Sequence, residues 1–269
     1  MSSLNRALAP LSQAAWNAID EEAADVLKVT LAGRKLVDFK GPLGWETSAV
    51  DTGRVEETGC KPGANVSVRR RRVHPLVEFR REFEISRSEM EALDRGAGDP
   101  DLDPVVDAAR SLAAAEDEAI FNGFADIGID GILPSATHGA LTISKNYENY
   151  PAIVAQAVST LRQSGVGGPY AIALGPVCFT GLSETTVNGF PVLSHVAKLL
   201  DHAPVSAPTI DGALVMSMRG GDFELSVGRD FAIGYLGHDA ENVSLYMGES
   251  LTFRVLGAEA AVPMVYRKK

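Results

Sequence analysis

Over residues 11–31 the apolar positions Trp16, Ile19, Ala23, Val26 and Leu27, with Thr30 in line, recur at three- and four-residue spacing. Asp20, Glu21, Glu22 and Asp25 fill the opposite side. A helix of 3.6 residues per turn gathers the first set into one stripe, so the pattern predicts an amphipathic helix. Its stripe must cover either the chain's own core or a groove used by a partner. Gly33 stands where a left-handed cap would end the helix.

Residues 35–85 read as extended chain. An early strand at 36–39 is interrupted by the turn Gly41-Pro42-Leu43-Gly44. Further on, Val77, Phe79, Phe83 and Ile85 alternate with Glu78, Arg80, Glu82 and Glu84, Arg81 being the one exception. Between them 55–73 is polar and turn-rich around Lys61-Pro62-Gly63-Ala64-Asn65. That order predicts a long two-stranded arm, and such an arm is marginal unless it lies on something else.

Two helices follow. Ser86 and Glu89 have capping-box spacing, and Ile85 is placed to staple onto Met90. Asp103 as N-cap, Pro104 at the first helical position and Gly123 at the end frame a longer helix with Val105, Ala109, Leu112, Ala113, Ala119 and Ile120 on one face. From Gly128 the chain shifts to Gly, Pro and β-branched residues. A helix is expected at 151–164 with Gly165 ending it, a buried strand at 170–174 and a short helix at 191–200. Alternation then predicts strands through Phe223, Leu225 and Val227, through Val243, Leu245 and Met247, and through Leu251, Phe253 and Val255. The order is α+β without a βαβ repeat, which disfavours a doubly wound nucleotide fold.

Composition narrows the function classes. The 269 residues are 45% hydrophobic and 22% charged, ordinary globular usage for one large domain or two closely packed ones. Twenty-five Lys and Arg against 35 Asp and Glu give a net charge of −10, which argues against a nucleic-acid coat. The two cysteines, Cys60 and Cys178, have no metal-ligand or redox-motif spacing, which suits a reducing cytoplasm. No apolar signal segment opens the chain, and the uncharged stretch between Arg162 and Glu184 is punctuated by Gly and Pro. The expectation is a soluble cytoplasmic protein with no membrane anchor.

Catalytic chemistry is hard to find. There is no phosphate-cradling glycine motif, no G-x-S-x-G elbow and no paired-histidine spacing among His74, His138, His195, His202 and His238. A Cys178–His195 dyad competes with a packed, inert thiol between Val177 and Phe179. Asp230 reads as a catalytic acid or, more commonly, as a turn carboxylate bonding neighbouring amides. The run Arg69–Arg72 with His74 suits phosphate groups or cross-strand pairing with glutamates. Met216 and Met218 belong to an alternating, core-facing strand.

Several strings carry a resemblance. Leu8-Ala9-Pro10-Leu11, Trp16, Ile19-Asp20, Ala32-Gly33-Arg34-Lys35, Val37-Asp38 and Gly41-Pro42-Leu43-Gly44-Trp45-Glu46 run in order along the chain. Glu116-Asp117-Glu118-Ala119-Ile120-Phe121, Gly167-Gly168-Pro169-Tyr170, Arg219-Gly220-Gly221-Asp222-Phe223 and Ile233-Gly234-Tyr235 continue the series. Together they resemble the type 1 encapsulin shell proteins, also described as linocin-like bacteriocins, from residue 4 to about residue 256. The resemblance implies the α+β fold of tailed-phage major capsid proteins. It divides the chain into an N-terminal helix and first strand (1–49), an extended arm (50–76), a peripheral domain with the long helix (77–129), an apical domain (130–220) and the peripheral sheet (221–269).

By that resemblance the chain is no enzyme, binds no cofactor or metal, and assembles with itself into an icosahedral cage, commonly of the smallest class, in the bacterial or archaeal cytoplasm. The cage encloses a cargo protein bearing a C-terminal targeting peptide. A ferritin-like iron-storing cargo is expected first, on the Gly44-Trp45-Glu46 stretch, and a dye-decolorising peroxidase second. The peptide is expected to dock on Leu27, Arg34, Leu36, Asp38, Asp230 and Ile233; the alternative makes Leu36 and Ile233 plain core and Arg34–Asp38 an internal ion pair. Glu184, Thr185, Thr186, Asn188 and Gly189 are expected to line a pore at the five-fold axis. A phage-type capsid protein and a soluble hydrolase are the competing classes. Phage subunits generally carry an N-terminal scaffolding region, whereas here the helix begins almost at once.

Overall fold

In the computed structural model, which describes residues 4–267, the N-terminal stripe becomes helix α1 (Gln13–Thr30). Ser12 caps it by accepting a hydrogen bond from the Ala15 amide at 3.0 Å. After it come strand β1 (Asp38–Lys40), the hairpin β2 (Ala49–Glu57) and β3 (Arg69–Pro75), then β4 (Val77–Ser86), α2 (Arg87–Asp94) and the long α3 (Asp103–Phe121). Short pieces continue the chain: β5 (Gly123–Phe124), β6 (Ile129–Asp130), α4 (Ile132–Ser135) and β7 (Leu141–Ile143). Next are α5 (Tyr150–Gln163), β8 (Tyr170–Leu174), α6 (Pro176–Glu184), the hairpin β9 (Thr186–Val187) and β10 (Phe190–Pro191), and α7 (Val192–Ala197). The chain closes with β11 (Val205–Ser206), β12 (Ala213–Ser217), β13 (Phe223–Val227), β14 (Ala232–His238), β15 (Asn242–Val255) and β16 (Ala261–Tyr266).

Two sheets organise these elements. In the first, β15 is the spine: one edge pairs with β4 in antiparallel register from Asn242↔Ser86 to Leu251↔Val77, and the other with β14 and then β13. Parallel pairing adds β1 beyond β13. Glu224, nearly buried on β13, sits between Lys40 and Arg254, whose charges outweigh its burial and hold its carboxyl below the ordinary value. The second sheet runs β11-β8-β12-β16-β7. β16 therefore lies in the second sheet, beside β12, while β13–β15 form the first.

One core cluster joins α5, α6, β8, β12 and β16 to β13 and the second half of β15. The other packs α1 and α3 over β4, β14 and the first half of β15 through Trp16, Ile19, Leu27, Leu112, Ile233 and Met247. Apolar burial at roughly 25 cal/mol per Å² makes these clusters the main source of stability. The hairpin β2–β3 takes part in neither and is almost wholly exposed, with Val55 and Val73 about half accessible.

Several local expectations change. Gly33 is not a left-handed cap; it lies in a single 3-10 turn (Gly33–Lys35). A Cβ there would stand 2.4 Å from Ile120 Cδ1 and 3.1 Å from Asp117 Oδ1, so close approach to α3 is what requires glycine. The Ser86/Glu89 capping box does not form: Ser86 pairs with the Ser88 hydroxyl, and Glu89 accepts from the Asp101 amide. Its hydrophobic partners Ile85 and Met90 are both buried. The N-cap of α3 is Leu102, with Asp103 the first helical residue and its amide held by Asp101. The helix expected at 191–200 is regular only over Val192–Ala197.

Candidate functional site

The apolar stripe of α1 is wider than the sheet beneath it. The uncovered margin forms a groove of about 380 Å³ between α1 and the β14–β15 ribbon. Ala23, Ala24 and Leu27 form one wall, and Phe231, Ile233 and Met247 the other. Small alanines on the helix keep the groove open. Arg6 bounds it: its Nε donates to the Ile233 carbonyl at 2.7 Å, its two terminal nitrogens bond Asp20 at 2.7 and 2.6 Å, and its guanidinium lies 4.4 Å from the centre of the Trp16 ring.

Beside the groove stands a buried polar cluster. Arg34 Nε donates to both oxygens of Glu116 at 2.9 Å, and Nη2 reaches Glu116 at 2.6 Å, Asp230 at 2.8 Å and Glu249 at 3.2 Å. The rings of Phe39 and Phe231 take its faces at 4.9 and 4.8 Å. Burial works against the charge of Arg34, but Glu116 and Asp230 outweigh it and hold the guanidinium above its ordinary value. One residue along α3, Asp117 accepts the amides of Ala32 and Gly33 at 3.1 and 2.7 Å. Burial outweighs those bonds and pushes its carboxyl up to about 6.

The six residues expected to dock a peptide separate into three places. Leu27 and Ile233 line the groove, though only 9% and 3% exposed. Arg34 and Asp230 form an ion pair at its flank, with Asp230 also accepting the Phe231 amide, so it behaves as a turn carboxylate. Leu36 is core, 2% exposed, and with Asp38 lines a separate small pocket against Met218, Gly220 and Phe223. Asp38 accepts the Gly221 amide at 2.5 Å, and the Arg34–Asp38 ion pair does not form. Arg6, Phe231, Met247, Glu116 and Glu249 are not among the site residues expected from the sequence. Glu116 had a signal, because it falls on the apolar stripe of α3, four residues from Leu112 and from Ile120.

The second candidate region follows α6. Glu184 ends the helix exposed, and β9–β10 form a hairpin turned by Asn188 and Gly189, with φ of 53° and 81°. Positive φ at two successive residues is what Asn-Gly turns supply. Thr185 accepts the Val192 amide through its carbonyl, closing the loop, and Thr186 is exposed. Phe190 stands 60% exposed at the rim, with Lys198 5.9 Å from its ring.

Catalytic groupings do not emerge. Cys178 is held between the hydroxyls of Tyr150 and Tyr266 at 3.0 and 3.1 Å, and burial pushes its thiol up. His195 bonds the Val187 carbonyl instead, so the Cys178–His195 dyad is not made. Arg69 and Arg70 pair with Glu57 and Glu56 across the arm. Among the described residues no three His, Cys, Asp or Glu are grouped as metal ligands, and no helix is long and apolar enough to cross a membrane.

Comparisons with known proteins agree with this architecture. Residues 1–252 match the family described as "Encapsulating protein for peroxidase". A type 1 encapsulin shell protein of Rhodospirillum rubrum is 51% identical, covering 98% of this chain and 96% of its own; one of Mycolicibacterium paratuberculosis is 44% identical over 98% and 99%. A virus-like particle from Pyrococcus furiosus superposes with a TM-score of 0.64 at 17% identity over 91% of this chain and 96% of its own. The capsid protein of Mycobacterium phage Bobi does so at 0.55 and 10%, over 88% and 91%. The fold is thus that of phage-type capsid proteins, and relatives of such similarity are structural shell proteins rather than enzymes. An exposed arm leading into a strand paired with the spine, a long helix on one sheet, and these matches across nearly the whole length place the chain in the type 1 encapsulin shell protein family.

Proposed function

We propose that this shell protein encloses a cargo protein whose C-terminal targeting peptide lies in the groove beside α1, and that the cage is icosahedral and of the smallest class. Self-assembly into a large homo-oligomeric shell follows from the family. The observation that supports cargo docking is the groove itself: an open apolar channel between a surface helix and a sheet, with a polar cluster along one flank. An extended peptide placing small apolar side chains against Leu27, Ile233 and Met247 gains about 1.5–3 kcal/mol for each one buried, before ordering costs. Asp230, 40% exposed at its side chain, presents a carboxylate at the flank that fixes the peptide's register.

The cargo is a ferritin-like iron-storing protein or a dye-decolorising peroxidase, and small ions reach it through pores lined by residues 184–189. Ala24, exposed on the groove wall, provides the test. Ala24→Trp fills the channel without disturbing a buried position. Shells co-expressed with a fluorescent protein carrying the targeting peptide are expected to assemble normally and lose most of their cargo. Full occupancy in Ala24→Trp shells sinks the docking assignment.

A further inference from the structure

Glu116 on α3 and Glu249 on β15 are both almost fully buried, and both face Arg34. With Asp230 they make three carboxyl groups around one guanidinium. Glu116 takes three of the Arg34 hydrogen bonds and Glu249 one long one, at 3.2 Å. The other oxygen of Glu249, Oε1, has no hydrogen-bond partner among the described residues although it is buried. A buried oxygen left without a donor is costly if it carries charge, and less so if it is neutral.

Among the described residues no second cation is paired with Glu249. Lys35, next to Arg34, bonds the Val29 carbonyl, and Arg229, next to Asp230, stacks over Trp45 at 3.6 Å. Asp117 turns to the amides of Ala32 and Gly33. On β4 the residue in register with Glu249 is Phe79, while its neighbours Glu78 and Arg80 alternate to the other face. Burial first, then the charge of Glu116, pushes Glu249 well above the ordinary carboxyl range. Both reach the same Arg34 nitrogen, Nη2, at 2.6 and 3.2 Å, so one guanidinium faces more buried carboxyl groups than it can neutralise unless one of them holds a proton.

We propose that the buried pair Glu116 and Glu249 is a proton-binding site that holds one proton at neutral pH, and that this proton keeps Arg34 locked between α3, β15 and the loop carrying Asp230. Loss of the proton sets a second full negative charge in a dry cluster, beside a guanidinium whose Nε and Nη2 already serve Glu116, Asp230 and Glu249. The cluster then relaxes only by admitting water between α3 and β15, which loosens the 3-10 turn after α1 and, through Phe231, the wall of the groove.

The linkage has a definite sign. A carboxyl whose folded value is raised leaves the folded state holding more protons than the unfolded chain, from about pH 4.5 upward. Its contribution to stability is therefore complete at low pH and is lost as pH rises through the folded value.

Glu249→Gln mimics the protonated form, since its amide has the same shape and no charge. Infrared spectra of intact shells at pH about 7 are expected to show a neutral-carboxyl C=O band that Glu249→Gln removes and Asp230→Asn leaves in place. The melting temperature of wild-type shells is expected to fall from pH about 7 to about 9, and that of Glu249→Gln to fall less. Glu116→Gln is the second variant: it frees Glu249 to ionise beside Arg34, so the same band disappears. A wild-type spectrum without the band, or one that both glutamine variants leave unchanged, overturns the proposal, as do parallel pH profiles for wild type and Glu249→Gln.

Discussion

Asp117 joins the helix α3 to the turn that follows α1 by accepting the Ala32 and Gly33 amides from a nearly inaccessible position. Asp117→Ala strands two buried donors and is expected to cost about 2–4 kcal/mol, read as a lowered melting temperature of assembled shells. Asp117→Asn retains an acceptor oxygen and is expected to cost less. Because burial raises this carboxyl from 3.8 to about 6, its contribution to stability declines as pH rises through that interval, and Asp117→Asn is expected to flatten that part of the profile. Residue-level chemistry was only partly legible in the sequence. Glu116 sits at stripe spacing, so its burial could be read, but Glu249 reaches it from a strand far along the chain and no local pattern connects them. Gly33 was legible as a special position for the wrong reason: its backbone is ordinary, and the constraint is the Ile120 side chain above it. Leu36 and Asp38 are close in sequence to Arg34, yet a 3-10 turn sends them toward β13 and away from the groove.

At the scale of elements, strong periodicity was read correctly and short pieces were not. The alternation at 77–85 became β4, with Val77, Phe79, Phe83 and Ile85 inward, and the stripe at 11–31 became α1. Two- to four-residue elements such as β5, β6 and α4 have no period to detect, and tertiary pairing alone fixes them. The arm was legible because its polar turn separates two extended runs; the bulge between Asp51 and Val55 was not. Charge distinguishes this hairpin from the rest of the chain. Residues 50–76 hold six Lys and Arg against three Asp and Glu, a net +3, which leaves nineteen against thirty-two elsewhere, a net −13. An exposed cationic hairpin, marginal alone, gains a favourable field when it lies on the anionic body of a neighbouring copy. Arg71 on β3, unlike Arg69, Arg70 and Arg72, has no ion-pair partner among the described residues. Arg71→Glu is therefore expected to slow shell assembly several-fold in low salt, with the gap to wild type closing as ionic strength shortens the reach of the field. Equal assembly rates at low salt, followed by light scattering, would show that the arm docks without electrostatic help.

In the whole particle, a side chain that is unremarkable in one subunit is repeated around each symmetry axis. Glu184 is a case in point: exposed at the end of α6, it stands beside the β9–β10 hairpin that we assign to a pore. One carboxylate per subunit becomes a ring of carboxylates, and a ring of one sign across a narrow opening raises the local concentration of the opposite ion. The neighbouring groups do not cancel it, because Thr185, Thr186, Asn188 and Gly189 are uncharged and the Lys198 ammonium sits over the Phe190 ring at the rim. Glu184 lies outside the Asn188–Gly189 turn, so changing it alters charge while leaving the hairpin's backbone in place. Shells loaded with a fluorescent cargo and exposed to a cationic or an anionic quencher of equal size separate the two effects. Glu184→Lys is expected to slow quenching by the cation and speed it by the anion, with Glu184→Gln between wild type and Lys for both probes. If all three shells admit both quenchers at the same rates, ions enter elsewhere and the 184–189 loop does not line the passage.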